Sequence, residues 1–204
     1  MTASCDYEDF NLSSNPFDVF RQWFELAQTK EPMPDSFTLA TTSSHGIPSA
    51  RVLLYKGIQK DWFLFYTNYE SMKAKEMMEN PWASMVFYWP HLKRQIRITG
   101  SVQKASYAES DEYFQSRPRG SQIGAYASSQ SKSIHSREDL IKRFEETKER
   151  FKGDEVIPCP QNWGGFQLRP FSFEFWMDGE DRLHDRFQYK LKKSDCWDII
   201  RLAP

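Results

Sequence analysis

The chain has 204 residues, 39% hydrophobic and 27% charged, which is enough for one sizeable core and short for two. Its formal net charge of -1 offers no general attraction to nucleic acid or to an anionic membrane surface, so neither is an expected partner. Three widely spaced cysteines, Cys5, Cys159 and Cys196, form no CxxC pair, which argues against a disulfide scaffold or a zinc site and for free thiols in a reducing compartment.

In chain order, "MTASCDYEDFNLSSNP" lacks the basic start and apolar run of a signal peptide, and nowhere do about 18 apolar residues run together. A cytoplasmic protein is expected. "NPFDVFRQWFELAQTK" opens as a helix should, with Asn15 as N-cap and Pro16 in the first turn, and Phe17, Phe20, Phe24 and Ala27 share one face. After the Pro-rich break "EPMPD", the segments "SFTLATTS", "PSARVLLYKG" and "DWFLFYTN" are rich in β-formers, and "SHG" and "GIQKD" read as hairpin connections. "SMKAKEMMEN" predicts a short helix capped by Ser71, and "WASMVFYWP" and "RQIRITGSVQKAS" return to strand. "SYAESDEYFQSRP" and "SREDLIKRFEETKERF" read as helices, and "FQLRPFSFEFWM", "RLHDRFQYKL" and "CWDIIRLAP" as strands. The sum is mainly β with helices, an antiparallel barrel or sheet without repeats.

Four polar clusters sit on these elements. A regular strand over "SARVLLYKG" puts Arg51, Leu53 and Tyr55 on one face and Val52, Leu54 and Lys56 on the other, so Arg51 and Lys56 cannot both belong to one exposed face. "TNYESMKAKE" places a Ser-capped helix start beside Lys73 and Lys75, which suits a phosphate; the same lysines also suit a solvated helix face. "YFQSRPRGSQIG" ends a helix with Tyr113 and Arg117 and then offers Arg119, Ser121 and two glycines in a loop, groups suited to a second phosphate or equally to the helix's own C-terminal carbonyls. Read as an extended segment, "RLHDR" turns Arg182, His184 and Arg186 to one side, a cationic stripe that calls for an anion.

The segments "NPFDVFRQWFELA", "PSARVLLYKG", "FYTNYES", "SMVFYWPHLKRQIRITG", "YFQSRPRGSQIGA", "NWGGFQLRP", "FEFWMDGEDRLHDR" and the final "RLAP" together resemble the pyridoxine (pyridoxamine) 5'-phosphate oxidase family over nearly the whole chain. The resemblance implies one FMN-binding split β-barrel domain over 1–204, with 1–14 a flexible N-terminal segment and 170–204 carrying dimerisation and active-site strands. It also implies a homodimer with FMN at the subunit interface. Residues matching the family's FMN contacts are Arg51, Val52, Leu53, Leu54, Tyr66, Thr67, Ser71, Lys73, Gln95, Gln130, Ser131, Trp176 and Arg186. Those matching the substrate contacts are Lys56, Tyr113, Arg117 and Ser121 around the phosphate, with Arg182 and His184 over the pyridine ring as the catalytic pair.

The implied reaction converts pyridoxine 5'-phosphate or pyridoxamine 5'-phosphate to pyridoxal 5'-phosphate, with O2 as electron acceptor and H2O2 as product; the amine substrate passes through an imine and releases ammonia. His184 positions the substrate first and acts as a base second. Three features depart from the family pattern: Met72 stands where an arginine usually meets the FMN phosphate, Met177 follows Trp176 where glutamine is common, and the N-terminal segment is short for the family's basic arm. These departures leave an alternative open, a non-catalytic FMN or pyridoxal-phosphate binding protein of the same fold. A nicotinamide-using FMN reductase would leave "RLHDR" and the second phosphate cluster without a use.

Overall fold

The computed structural model describes residues 12–193 and 196–204; Cys5 and most of the segment expected to be flexible lie outside the described residues. The first helix, α1 (Pro16–Lys30), starts as its sequence dictates: the Asn15 side chain accepts the Phe17 N–H at 3.0 Å, and Pro16 has no N–H to leave unsatisfied. Nine strands follow in antiparallel pairs: β1 (Ser36–Thr42), β2 (Pro48–Leu54), β3 (Ile58–Gln59), β4 (Trp62–Asn68), β5 (Trp82–Trp89), β6 (Arg94–Lys104), β7 (Trp163–Met177), β8 (Asp185–Leu191) and β9 (Trp197–Leu202). Between β4 and β5 lies α2 (Met72–Glu79), and between β6 and β7 lie α3 (Tyr107–Ser116), α4 (Arg119–Ala127) and α5 (Arg137–Arg150).

The sheet runs β2-β1-β5-β6-β7-β4-β3, with β8 on β7 and β9 on β8. β7 is the seam: β6 pairs with its residues 166–177 on one edge, while on its other edge residues 163–168 pair with β4 and residues 172–177 with β8. Residue 170, where the C-terminal strands were expected to begin, therefore lies inside β7. A register shift between Thr99 and Gly100 lets β6 follow the bend, and a Cβ on Gly100 would lie 2.2 Å from the Arg169 carbonyl oxygen, so only glycine fits there.

Strand alternation builds the core. β1 and β5 each alternate buried with partly exposed positions, and α1 covers the barrel with Phe17, Phe20, Trp23 and Ala27. Ring contacts join these layers, with Phe20 at 4.8 Å from Phe63 and Trp23 at 5.3 Å from Phe175. A second, smaller cluster of Phe114, Ile123, Phe151, Ile157, Cys159 and Trp163 fastens the helical insertion to the start of β7. Phe114 comes from the first helix of that insertion and Trp163 from the strand that follows it, so this cluster positions α3 and α4 against the start of β7.

The structure corrects two sequence expectations. The segment read as a Gly-containing loop after Arg117 is the helix α4: Gly120 and Gly124 take helical conformation, while Gln122, Ile123 and Ala127 supply its buried face. The "RLHDR" segment is not one extended strand. Asp181 and Arg182 have φ of 52° and 64° in a tight turn, and β8 begins only at Asp185. Among the described residues, no helix is long and apolar enough to cross a membrane.

Candidate active site

A cavity of about 500 Å³ opens where β2, β4 and the helical insertion meet. Val52, Leu53, Leu54 and Lys56 come from β2 and the turn after it, Tyr66 and Thr67 from β4, Tyr113 and Arg117 from the end of α3, Ser121 from α4, and Gln130 from the next loop. All four residues expected around the substrate phosphate thus share one cavity with several of the expected FMN contacts. The β2 alternation holds as read, with Val52 and Leu54 exposed and Arg51, Leu53 and Tyr55 turned inward. Apolar side chains left exposed beside polar ones suit a flat heterocycle better than bulk water.

Among the described residues, two buried side-chain polar atoms lack a hydrogen-bond partner: Arg117 Nη1 at the cavity wall and Ser71 Oγ at the start of α2, outside the cavity lining. Ser71 is the N-cap of α2, yet its hydroxyl makes no cap bond, which corrects the expectation of a side-chain cap. Two residues on, Lys73 Nζ is buried against neutral acceptors, Gln130 Oε1 at 3.0 Å and Thr67 Oγ1 at 3.3 Å. Burial, with the nearby Arg51 charge, holds the Lys73 amine below its ordinary pKa. An unpartnered hydroxyl, a destabilised ammonium and the N–H groups of a helix start make a position that an anion would complete.

Arg51 is committed differently. Its guanidinium donates to Thr41 Oγ1, Ser49 Oγ and the Leu39 carbonyl, and lies 3.3 Å from Glu76 Oε2. Burial alone pushes the Glu76 carboxyl up, but bonds from Thr41 and Ser49 together with the Arg51 charge outweigh it and hold the group below the usual carboxylate range. Lys56 also has a carboxylate partner, Asp35 at 3.1 Å. Burial pushes the Tyr66 phenol up to about 12, so Tyr66 stays a neutral donor in the cavity wall.

The remaining expected contacts form a separate surface. Gln95, Trp176 and Arg186 are cross-strand neighbours on β6, β7 and β8, on the face turned away from the core. Arg186 is held from two sides: Nε and Nη2 donate to Glu174 Oε1 at 3.1 and 2.9 Å, and Nη1 donates to the Ala203 carbonyl at 2.8 Å. His184 lies 4.8 Å from the Trp176 ring, and its Nδ1 accepts the Gly179 N–H at 3.2 Å while standing 3.1 Å from Asp178 Oδ1. Arg182 is exposed. Gly179 permits this turn, because a Cβ there would meet the Leu183 carbonyl oxygen at 2.2 Å. None of Gln95, Ser131, Trp176, Arg182, His184 or Arg186 lines the cavity within one chain. His184 instead borders a shallower hollow of about 370 Å³ with Arg201 and the C-terminal residues.

Sequence reasoning missed Trp163, Asn68 and Ser128 in the cavity wall. Trp163 opens a strand in an aromatic-rich chain, so its identity alone gave no signal; its neighbour Arg117 stands 46 positions earlier.

The fold and its cavity define the class first. The structure resembles PhzG from Burkholderia lata 383, solved with tetrahydrophenazine-1-carboxylic acid, at a TM-score of 0.89 and 28% identity over 100% of this chain and 99% of that one. It shares its fold with a pyridoxamine 5'-phosphate oxidase-related, FMN binding protein from Nostoc punctiforme, at a TM-score of 0.76 and 17% identity over 96% of this chain and 100% of that one. The chain is a split β-barrel protein.

Sequence then specifies the family. Residues 25–151 match the family described as pyridoxamine 5'-phosphate oxidase, and residues 163–204 match the pyridoxine 5'-phosphate oxidase C-terminal dimerisation region. A pyridoxine/pyridoxamine 5'-phosphate oxidase of Aliarcobacter butzleri is 47% identical over 204 residues, covering 100% of this chain and 95% of that one. One of Coxiella burnetii is 49% identical over 195 residues, covering 95% of this chain and 98% of that one. The chain belongs to the pyridoxine/pyridoxamine 5'-phosphate oxidase family and is an enzyme of that kind.

Proposed function

We propose that the chain is an FMN-dependent oxidase that converts pyridoxine 5'-phosphate or pyridoxamine 5'-phosphate to pyridoxal 5'-phosphate, with O2 as acceptor and H2O2 as product. It works as a homodimer whose sites are built from both subunits, in a cytoplasmic, reducing setting where Cys159 and Cys196 form no disulfide among the described residues. The observation that carries this reading is the pair of unpartnered buried groups, Ser71 Oγ and Arg117 Nη1, one in each of the two regions where a phosphate was expected. FMN and the substrate each bring one phosphate. Residues 163–204 match a dimerisation region, and the surface bearing Trp176, His184 and Arg186 lies apart from the cavity in one chain, which supports its delivery to a partner's cavity.

In this reading Ser71, Lys73, Thr67 and Gln130 hold the FMN phosphate, with Arg51 beside them and Val52, Leu53, Leu54, Tyr66, Gln95, Ser131, Trp176 and Arg186 around the rest of the cofactor. Lys56, Tyr113, Arg117 and Ser121 hold the substrate by the end that does not react, which fixes its orientation. Arg182 and His184 cover the pyridine ring. Because His184 Nδ1 is engaged by Gly179 and Asp178, Nε2 is the nitrogen left to face the substrate. The chemistry that FMN supplies when bound is acceptance of two electrons from the substrate's C4' carbon and their return to O2.

The protein is expected to purify yellow, or to become so with added FMN, as a dimer with FMN equal to chains, and to release H2O2 and pyridoxal 5'-phosphate in equal amounts in air. A colourless monomer that leaves FMN fluorescence unquenched would refute the proposal. Met72, exposed at the first position of α2, tests the phosphate region. Met72→Arg should tighten FMN by about 1.5 kcal/mol, roughly tenfold, since an exposed contact falls at the low end for charged hydrogen bonds. Riboflavin, which lacks the phosphate, should bind unchanged; equal gains for both would show that phosphate is not what is recognised.

A further inference from the structure

The cations of the expected site differ in what neutralises them. Arg51 faces Glu76, Lys56 faces Asp35, and Arg186 faces Glu174. Arg117 has no carboxylate partner among the described residues, although it is half-buried and its Nη1 is enclosed without a hydrogen bond. Its guanidinium carbon instead lies 4.6 Å from the Trp163 ring centroid and 5.6 Å from that of Phe114. Trp163 is itself fixed: it is 7% exposed, packs edge-on against Phe114 at 5.2 Å, and lies near-parallel to Tyr66 at 5.5 Å and to Tyr113 at 6.3 Å. Tyr66 and Tyr113 stack directly at 3.9 Å, so the indole ends a rigid aromatic array that runs along the cavity wall.

We infer that Trp163 is a positioning residue that holds Arg117 by its ring face in place of a carboxylate, keeping the arginine's charge available for a phosphate-bearing substrate. The inference rests on the reading that Arg117 takes the substrate phosphate. A carboxylate in that position would compete with the incoming phosphate and would have to be displaced or shared. An aromatic face attracts the guanidinium through its quadrupole, takes up none of its N–H donors, and carries no net charge to cancel. Arg117 is thus desolvated and oriented before substrate arrives, with Nη1 still lacking an acceptor.

The test compares Trp163→Leu, Trp163→Phe and Arg117→Ala in the FMN-loaded enzyme, reading kcat, the KM for pyridoxine 5'-phosphate, and the inhibition constant of inorganic phosphate. Trp163→Leu should raise KM and the phosphate inhibition constant together, by roughly tenfold for a desolvated cation–π contact, with kcat nearly unchanged. Trp163→Phe, which keeps a ring face and the core packing, should restore most of both constants. A loss of kcat with the phosphate inhibition constant unchanged, or no recovery in Trp163→Phe, overturns the role of Trp163 and leaves it a packing residue. If Arg117→Ala also leaves phosphate inhibition unchanged, the substrate-phosphate reading fails and this inference fails with it. If Arg117→Ala weakens phosphate and Trp163→Leu does not, only the role of Trp163 is lost.

Discussion

Alanine at Arg182 or His184 is expected to slow anaerobic reduction of the bound flavin by roughly a hundredfold, or to raise the substrate concentration needed for it, while FMN occupancy stays near that of the parent. Neither side chain belongs to the buried core: Arg182 is exposed in its turn, and His184 is partly exposed beside the Trp176 ring and the Asp178–Gly179 segment. Loss of either should therefore leave the fold intact and, on the proposed function, remove a group from over the substrate ring. Arg186→Ala should behave in the opposite way. Its guanidinium ties Glu174 on β7 to the C-terminal Ala203, so its loss leaves Glu174 Oε1 without that partner, with Arg97 still on Oε2, and should lower FMN affinity and alter the flavin spectrum. Stopped-flow mixing with pyridoxine 5'-phosphate separates the two groups of variants. His184→Ala reducing flavin at the parent rate and half-saturation would leave that histidine without the role assigned to it.

Lys73→Ala is expected to weaken FMN by about 3 kcal/mol, roughly a hundredfold, and to leave riboflavin binding unchanged. The ammonium is buried against the neutral oxygens of Thr67 and Gln130, so it is poorly compensated until an anion arrives, and the phosphate gains more from it than from an exposed charge. Because burial lowers the Lys73 pKa in the folded chain, the unfolded chain holds more protons at alkaline pH between the two values. Stability of the FMN-free protein should therefore rise with pH across that window, and FMN, which favours the ammonium, should flatten the rise. Equal weakening of FMN and riboflavin in Lys73→Ala would place the lysine away from the phosphate.

Much of this was legible before any coordinates. Asn15 and Pro16 announce the first helix because capping is a local property, and the strand alternation around Arg51 follows from the period of two. The phosphate regions were legible as residue types: Arg117 and Ser121 come together in one cavity wall, and Ser71 and Lys73 stand at the start of α2. What was not legible depends on distant partners. Glu76 lies 25 positions from Arg51, Glu174 lies 12 from Arg186, and nothing local reveals that these arginines are already paired. The "RLHDR" turn misled because alternation was assumed where Gly179 and the positive φ of Asp181 and Arg182 break it. The α4 helix was hidden by Gly120 and Gly124, whose cost in a helix is outweighed by packing of Ile123 and Gln122 beneath them.

Anaerobic titration of the purified, FMN-loaded protein with pyridoxamine 5'-phosphate, followed by its visible spectrum, tests the account most directly. The flavin bands should bleach with saturable dependence on the substrate and return on admission of air, with pyridoxal 5'-phosphate and H2O2 formed in step. Flavin bands that stay unchanged at saturating pyridoxamine 5'-phosphate and pyridoxine 5'-phosphate alike would contradict it.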